Sequence, residues 1–286
     1  MLVQPTYTAT NSTETINTPI ELEGDGGTYA FTNNSASGSG AGSCTLVFGG
    51  TIKGVSQTGN TTTLTIDGTN ANSNVIGGII SDGIDGGKVA ITKNDSGTWT
   101  LSGASTYTGA TTVNAGTLKA GADTVGATGA FGNGSAVTVA TGATLDLNKY
   151  SVTIGSLAGS GTVVNTGAGT YVLTTGGDNT STSFSGLIKD GVGNQLTGIT
   201  KEGTGTWTLS GAHTYTGPTA INAGTVTFGG ATTFASKITA AAGTTLNLGT
   251  NTLTLTAAVA PFTTAATTLL GTTLASSTAF GRVVIT

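Results

Sequence analysis

The sequence predicts an all-β chain, folded as a single parallel β-helix (a β-solenoid) of roughly 13 coils of about 21 residues. Three observations lead there. The stretch "GTWTLSGASTYTGATTVNAGTL", beginning at Gly97, returns as "GTWTLSGAHTYTGPTAINAGTV", beginning at Gly205. Short runs alternating apolar and polar residues, each closed by Gly, Asn or Ala-Gly, fill both copies, which is the pattern of strand and turn. The alphabet is restricted: 8% of residues are charged and 48 are glycine, against a typical charged share of about 25%.

Aligned without gaps, Ile91–Gly121 and Ile199–Gly229 are identical at two positions in every three. Backwards, "GGIISDGI" from Gly77 stands opposite "SGLIKDGV" from Ser185. Forwards, after a deletion of seven residues, "TGATLDLNKYSVTI" from Thr141 matches "AGTTLNLGTNTLTL" from Ala242. The offset that carries Trp99 onto Trp207 is too long for one propeller blade, whose repeat is about 40–50 residues. It divides well into five coils of about 20–22 residues. In a parallel solenoid each side chain lies about 4.8 Å above its counterpart one coil below. Thr on Thr and Val on Ile therefore stack well, whereas like charges would repel along the ladder.

The organisation expected is an N-terminal cap or donated strand over residues 1–22 and a β-helix over 23–256. The duplicated unit within the helix falls at about 64–171 and 172–256, and a C-terminal cap or docking segment follows at 257–286. The stretch Ala257–Ser277 alone is ambiguous between a short capping helix and poorly alternating strands.

Charge excludes several functions. Nine basic against thirteen acidic residues give a net charge of −4, and Arg282 is the sole arginine. No basic cluster exists to neutralise phosphates, so no nucleic-acid partner is expected. Anchoring on an acidic membrane surface fails for the same reason, and no run approaches the roughly 20 apolar residues of a membrane span. The opening "MLVQPTYTAT" lacks the basic and apolar regions of a signal peptide; composition favours a mature or trimmed exported form. Cys44 has no intrachain partner and reads as a small buried hydrophobe.

The passage "ITKNDSGTWTLSGASTYTGATTVNAGTL" and its partner resemble the autotransporter-associated β-strand repeat, found in the passengers of type V secreted bacterial surface proteins. The resemblance implies a right-handed parallel β-helix exported to the cell surface and so extracellular. The sequence as given has no room for a translocator barrel after the repeats, so an excised passenger or a shorter surface protein built from the same repeat is expected.

Residues suited to chemistry are few. His213 is the sole histidine and follows Ser210 closely, but a nucleophile needs a base oriented by a third group. The first copy has Ser105 in its place, so His213 is expected as a solvent-facing turn residue. Asp82, Asp85 and Lys88 in "SDGIDGGK" form the nearest acidic constellation. Asp-Gly is a common turn dipeptide, and a turn is the preferred reading. Calcium needs six or more oxygens, more than "EGDGGTYAF" and "SDGIDGGK" offer. The glycine-rich "SASGSGAGS" lacks the Lys-Ser/Thr of a phosphate loop. No catalytic residue, metal or cofactor is therefore expected.

Two sets of residues remain as contact candidates. An exposed row of Trp99, Tyr107, Trp207 and Tyr215 would stack on sugar rings or receptors; packing on the body of the helix is the alternative, and the duplication favours it. Tyr7 near one end and Val283, Val284 and Ile285 at the other are candidates for end-to-end assembly by strand addition. The leading expectation is a structural rod that self-assembles head to tail into fibres. An adhesin passenger binding host or neighbouring-cell receptors or glycans is the alternative, and a polysaccharide-active β-helix enzyme the third.

Overall fold

The computed structural model describes residues 12–23, 26–38, 43–55, 59–229 and 238–249, together with the backbone of strands at 232–234, 252–255, 263–264, 269–272 and 282–285. The described structure is β-strand and turn, with one short 3-10 helix at Ile84–Gly86. No helix among the described residues is long and apolar enough to cross a membrane. The chain divides into two compact units, Met1–Asp146 and Leu147–Thr286. Each carries one copy of the repeat.

In the first unit, strands Ser12–Ile16, Cys44–Phe48, Asn74–Ile76, Thr98–Leu101, Thr117–Ala120 and Thr144–Asp146 pair in parallel in that order. A second face stacks Thr28–Thr32, Thr61–Asp67, Lys88–Lys93, Thr111–Val113 and Ala136–Val139. A third runs from Ile20–Leu22 through Ile52–Gly54 to Ile80–Ser81. Extended chain at 106 continues it, the Thr106 amide donating to the Ile80 carbonyl at 2.9 Å. The chain thus visits each face once per coil, which is a β-solenoid and not a closed barrel.

The second unit repeats the scheme. One face stacks Val152–Thr153, Gly169–Thr175, Gln195–Lys201, Thr219–Ile221, Ile238–Ala240 and Thr263–Thr264. Another stacks Ser156–Gly159, Thr182–Phe184, Thr206–Leu209, Thr225–Phe228, Thr245–Gly249 and Leu269–Thr272. Strands Thr162–Asn165 and Leu187–Asp190 pair in parallel, as do Thr232–Phe234, Thr252–Leu255 and Arg282–Ile285.

Alternation sets which side chains fill the core. In Lys88–Lys93 the inward positions are Val89, Ile91 and Lys93. Side chains two apart on a strand share a face, so the inward column runs Leu64, Ile91, Thr111, Val137 from coil to coil. Like residues stack elsewhere: Thr98, Thr117 and Thr144 in one unit, and Thr206, Thr225 and Thr245 in the other. Each Leu, Ile or Val so buried contributes on the order of 1.5–3 kcal/mol.

Coil length is not uniform. The repeat keeps short coils, in which Ile91 pairs with Thr111 and Ile199 with Thr219. The earliest coils are longer, Ser12 pairing with Cys44 and Thr28 with Thr63. The ladder constrains only the strands, so extra residues are accommodated in the connections between faces.

Glycine is required where two coils turn against each other. At Gly116 φ is +66°, and a Cβ would meet the Gly97 and Asp95 carbonyl oxygens at 2.4 and 2.5 Å. Its counterpart Gly224 has φ +69° and would meet those of Gly203 and Gly205 at 2.5 and 2.6 Å.

Tyr7 lies outside the described residues. Val283, Val284 and Ile285 fall in strand Arg282–Ile285, whose backbone pairs with Thr252–Leu255. Of the ambiguous 257–277 stretch, the described parts are strands Thr263–Thr264 and Leu269–Thr272.

Candidate interaction site

The four aromatic candidates do not form an exposed row. Trp99, Tyr107, Trp207 and Tyr215 are buried, none more than 1% exposed. Trp99 and Leu101 occupy the inward positions of their strand, as do Trp207 and Leu209. The Trp99 indole donates to the Asp67 carbonyl at 3.0 Å and stacks at 6.2 Å on Phe48, which itself stacks on Phe31 at 4.1 Å. Tyr107 and Tyr215 share hydrogen bonds with the Thr111 and Thr219 hydroxyls at 2.8 and 2.9 Å. Burial pushes both phenols well above the usual range. These rings are core anchors and have no surface to offer a ligand.

Asp82 braces a turn. One of its oxygens accepts from the Val89 amide at 2.8 Å, and its carboxylate also accepts from the Thr108 amide and hydroxyl at 3.1 and 2.6 Å. Asp190 repeats the arrangement with Thr197 and Thr216, at 2.7 Å from one amide and 2.9 and 2.5 Å from the other amide and its hydroxyl. A carboxylate accepting several hydrogen bonds from the backbone is held in one position.

His213 is corrected from solvent-facing to buried, at 3% exposure. Its Nδ1 accepts from the Ile188 amide at 3.2 Å, its ring stacks on Phe184 at 6.3 Å, and Nε2 has no partner. Ser105 does the same in the first unit, its Oγ accepting from the Ile80 amide at 3.1 Å. Burial lowers the imidazole to a pKa of about 4. Position and bonding leave His213 no role as a base for Ser210, which is exposed.

Sequence reasoning missed two residues. Lys93 and Lys201 are buried, and each ammonium donates to three main-chain carbonyls of adjoining turns. Lys93 reaches Asn94, Asp95 at 2.7 Å and Ala115 at 3.3 Å. Lys201 reaches Glu202, Gly203 and Ala223 at 2.5, 2.8 and 3.4 Å. Burial lowers both ammonium groups, that of Lys93 to about 8 against the opposing pull of Asp67 and Asp95. The signal was available: in "ITK" the lysine shares a face with the inward isoleucine.

Cys44 is buried. Among the described residues no group of three or more His, Cys, Asp or Glu side chains is placed to hold a metal ion.

The loops add exposed surface of their own to the outward positions of the strands. The seven residues that the first copy has and the second lacks fall between the paired residues Thr111 and Val137. The matching step in the second copy, from Thr219 to Ile238, is shorter by that insertion. The inserted chain forms a finger closed by reciprocal hydrogen bonds between Val125 and Thr128 and tied to Tyr107 through the Asn133 amide. Large exposed aliphatics also sit at Ile79, Ile84 and Val192.

Residues 91–120 and 199–228 match the family model of the passenger-associated-transport repeat. The chain carries two copies of this autotransporter passenger repeat. Over 203 residues, 68% of the chain, it is 37% identical to the adhesin BmaC autotransporter of Brucella suis biovar 1 (strain 1330). The chain spans only 5% of that adhesin's length. No solved structure matches at a significant level. Within the two matched segments, Lys93, Trp99 and Tyr107 in one copy and Lys201, Trp207 and Tyr215 in the other are all buried.

Proposed function

We propose that the chain is a non-catalytic segment of an adhesin-type passenger at a bacterial cell surface, in which the repeats build the scaffold and the loops meet the partner. One observation carries this reading. Five side chains of acid–base type at or beside the repeats are held in structural bonds: Asp82 and Asp190 by backbone amides, Lys93 and Lys201 by carbonyls, His213 by the Ile188 amide. The likeness to an adhesin passenger supports the location and the adhesive role. Loops on a rigid scaffold are the usual carriers of binding function, which points to receptors or glycans contacted by segments such as the 121–135 finger.

Displaying the chain on a non-adherent bacterium tests this. Attachment to epithelial monolayers should rise, and soluble chain should compete it away; attachment no better than the parent strain overturns the adhesive role. Incubation with a panel of polyuronates should release no products. Cleavage that disappears on Asp82→Ala would overturn the non-catalytic one.

A further inference from the structure

The finger that the first repeat has and the second lacks ends on the sole Asn-Gly pair of the sequence, Asn133 and Gly134. Both residues are exposed. The chain is pinned on either side of them. Phe131 and Ser135 are buried, and the Asn133 amide donates to the Tyr107 carbonyl at 2.9 Å. The Ser135 hydroxyl donates to the Gly109 carbonyl at 2.7 Å and shares a hydrogen bond with that of Thr111 at 2.9 Å. Between these anchors the pair is unheld. Neither the Asn133 carboxamide nor the Gly134 amide makes a hydrogen bond among the described residues. Gly134 has φ +63°, which glycine adopts freely, and a Cβ there would meet nothing within 4 Å.

Asparagines elsewhere have their carboxamides committed. Asn114 donates to Asn94 at 2.8 Å and Asn222 to Glu202 at 2.7 Å. Asn165 donates to the Gly167 and Gly169 carbonyls at 2.8 and 3.0 Å, and Asn179 accepts from the Thr204 amide at 2.9 Å. Each of these four is also followed by alanine or threonine, whose Cβ crowds the next backbone nitrogen. At Asn133 the carboxamide is free to turn and the neighbouring nitrogen is bare.

We propose that Asn133 and Gly134 are a site of spontaneous covalent modification, at which the finger deamidates through a cyclic imide. The Gly134 amide nitrogen gives its proton to solvent and bonds to Asn133 Cγ, and the side-chain nitrogen leaves as ammonia. Water then opens the imide at either carbonyl. One opening gives aspartate; the other gives isoaspartate, with the main chain rerouted through the side-chain carbon. No electrons are exchanged and no enzyme is required. The finger, residues 121–135, has Asp123 as its one charged side chain, so the reaction takes it from one negative charge to two. A charge added to an exposed loop on a rigid scaffold changes what the loop can bind. The modification itself stands independently of the adhesive reading, because it is read from the mass of the purified chain.

Incubating the intact folded chain in mildly alkaline buffer at physiological temperature, then mapping its peptides by mass spectrometry, tests this. The peptide holding Asn133 should gain roughly one dalton, as an NH2 is exchanged for OH. It should do so about tenfold or more faster than the peptides holding Asn114 and Asn222. Part of the product should be isoaspartate, whose Gly134 nitrogen is bonded to Cγ and so records the attack directly. Asn133→Gln, which keeps the polar side chain but needs a larger ring, should hold its mass over the same period. An Asn133 peptide that stays unmodified overturns the proposal, as does a gain no faster than at Asn114 and Asn222. A product that is aspartate alone overturns the cyclic route.

Discussion

Ser105 and His213 occupy the same position in the two repeats and perform the same bond, each accepting the amide of the residue 25 places earlier, Ile80 or Ile188. The histidine does so as a neutral ring with Nε2 unpartnered. Protonation would put a donor on Nδ1, facing an amide that is itself a donor. The folded pKa of about 4 lies below the ordinary 6.5. Between those values the unfolded chain binds more protons, so stability is full above pH 6.5 and falls as pH drops toward 4. The loss should approach about 3 kcal/mol. His213→Ser supplies the hydroxyl of the other repeat and should flatten this slope, as read by denaturant melts at about pH 7 and about pH 4.

The buried lysines predict a second pair of outcomes. Lys93→Met or Lys201→Met leaves three turn carbonyls without a donor and should cost about 3 kcal/mol. Hydrogen exchange should rise first at Asn114 or Asn222, whose amides donate to the carbonyls of Lys93 and Lys201. The pH dependence has its own sign. The Lys93 ammonium, lowered from 10.5 to about 8, loses its proton in the folded chain before the unfolded one does. Stability should therefore climb from about pH 8 to 10.5, and Lys93→Met should remove the part of that climb due to this residue.

The two tryptophans should respond differently to phenylalanine. Trp99→Phe removes a hydrogen bond to the Asp67 carbonyl, a loss of about 1–2 kcal/mol on top of lost packing. Trp207→Phe removes a buried indole N–H that has no partner, so it should cost less by about 1 kcal/mol. Chemical denaturation of the two variants side by side gives the difference. Alanine at either site should cost about 3–5 kcal/mol.

Asp82→Ala removes the acceptor for the Val89 amide and for the Thr108 amide and hydroxyl. It should destabilise the first unit by about 2 kcal/mol and raise hydrogen exchange at Val89 and Thr108. Asp190→Ala should do the same at Thr197 and Thr216 in the second unit.

The solenoid is legible in the sequence because its cause is local and repeated. Alternation in "KVAITK" and "TWTL" sets the faces, and the recurrence of Gly116 at Gly224 sets the corners. The fate of single polar residues is not legible in the same way. A threonine-rich strand predicts that Trp99 shares a side of the sheet with Leu101. The coil that covers that side is not written beside it, so an exposed row stays open on sequence alone. His213 sits in a turn sequence and still goes inside, because Phe184 and the Ile188 amide arrive from the preceding coil. Lys93 escapes notice because a charge is ordinarily excluded from a core. Only the convergence of three carbonyls from two turns makes its burial tolerable.

By itself the sequence determined that this chain is a stack of β coils with a duplicated unit, since strand alternation and repeat length are properties of neighbours along the chain. The tertiary structure alone decided what the scarce polar groups do. Whether Asp82 binds a ligand or a backbone amide, and whether Trp207 meets water or core, depends on atoms a whole coil away along the chain, brought within hydrogen-bonding distance by the ladder.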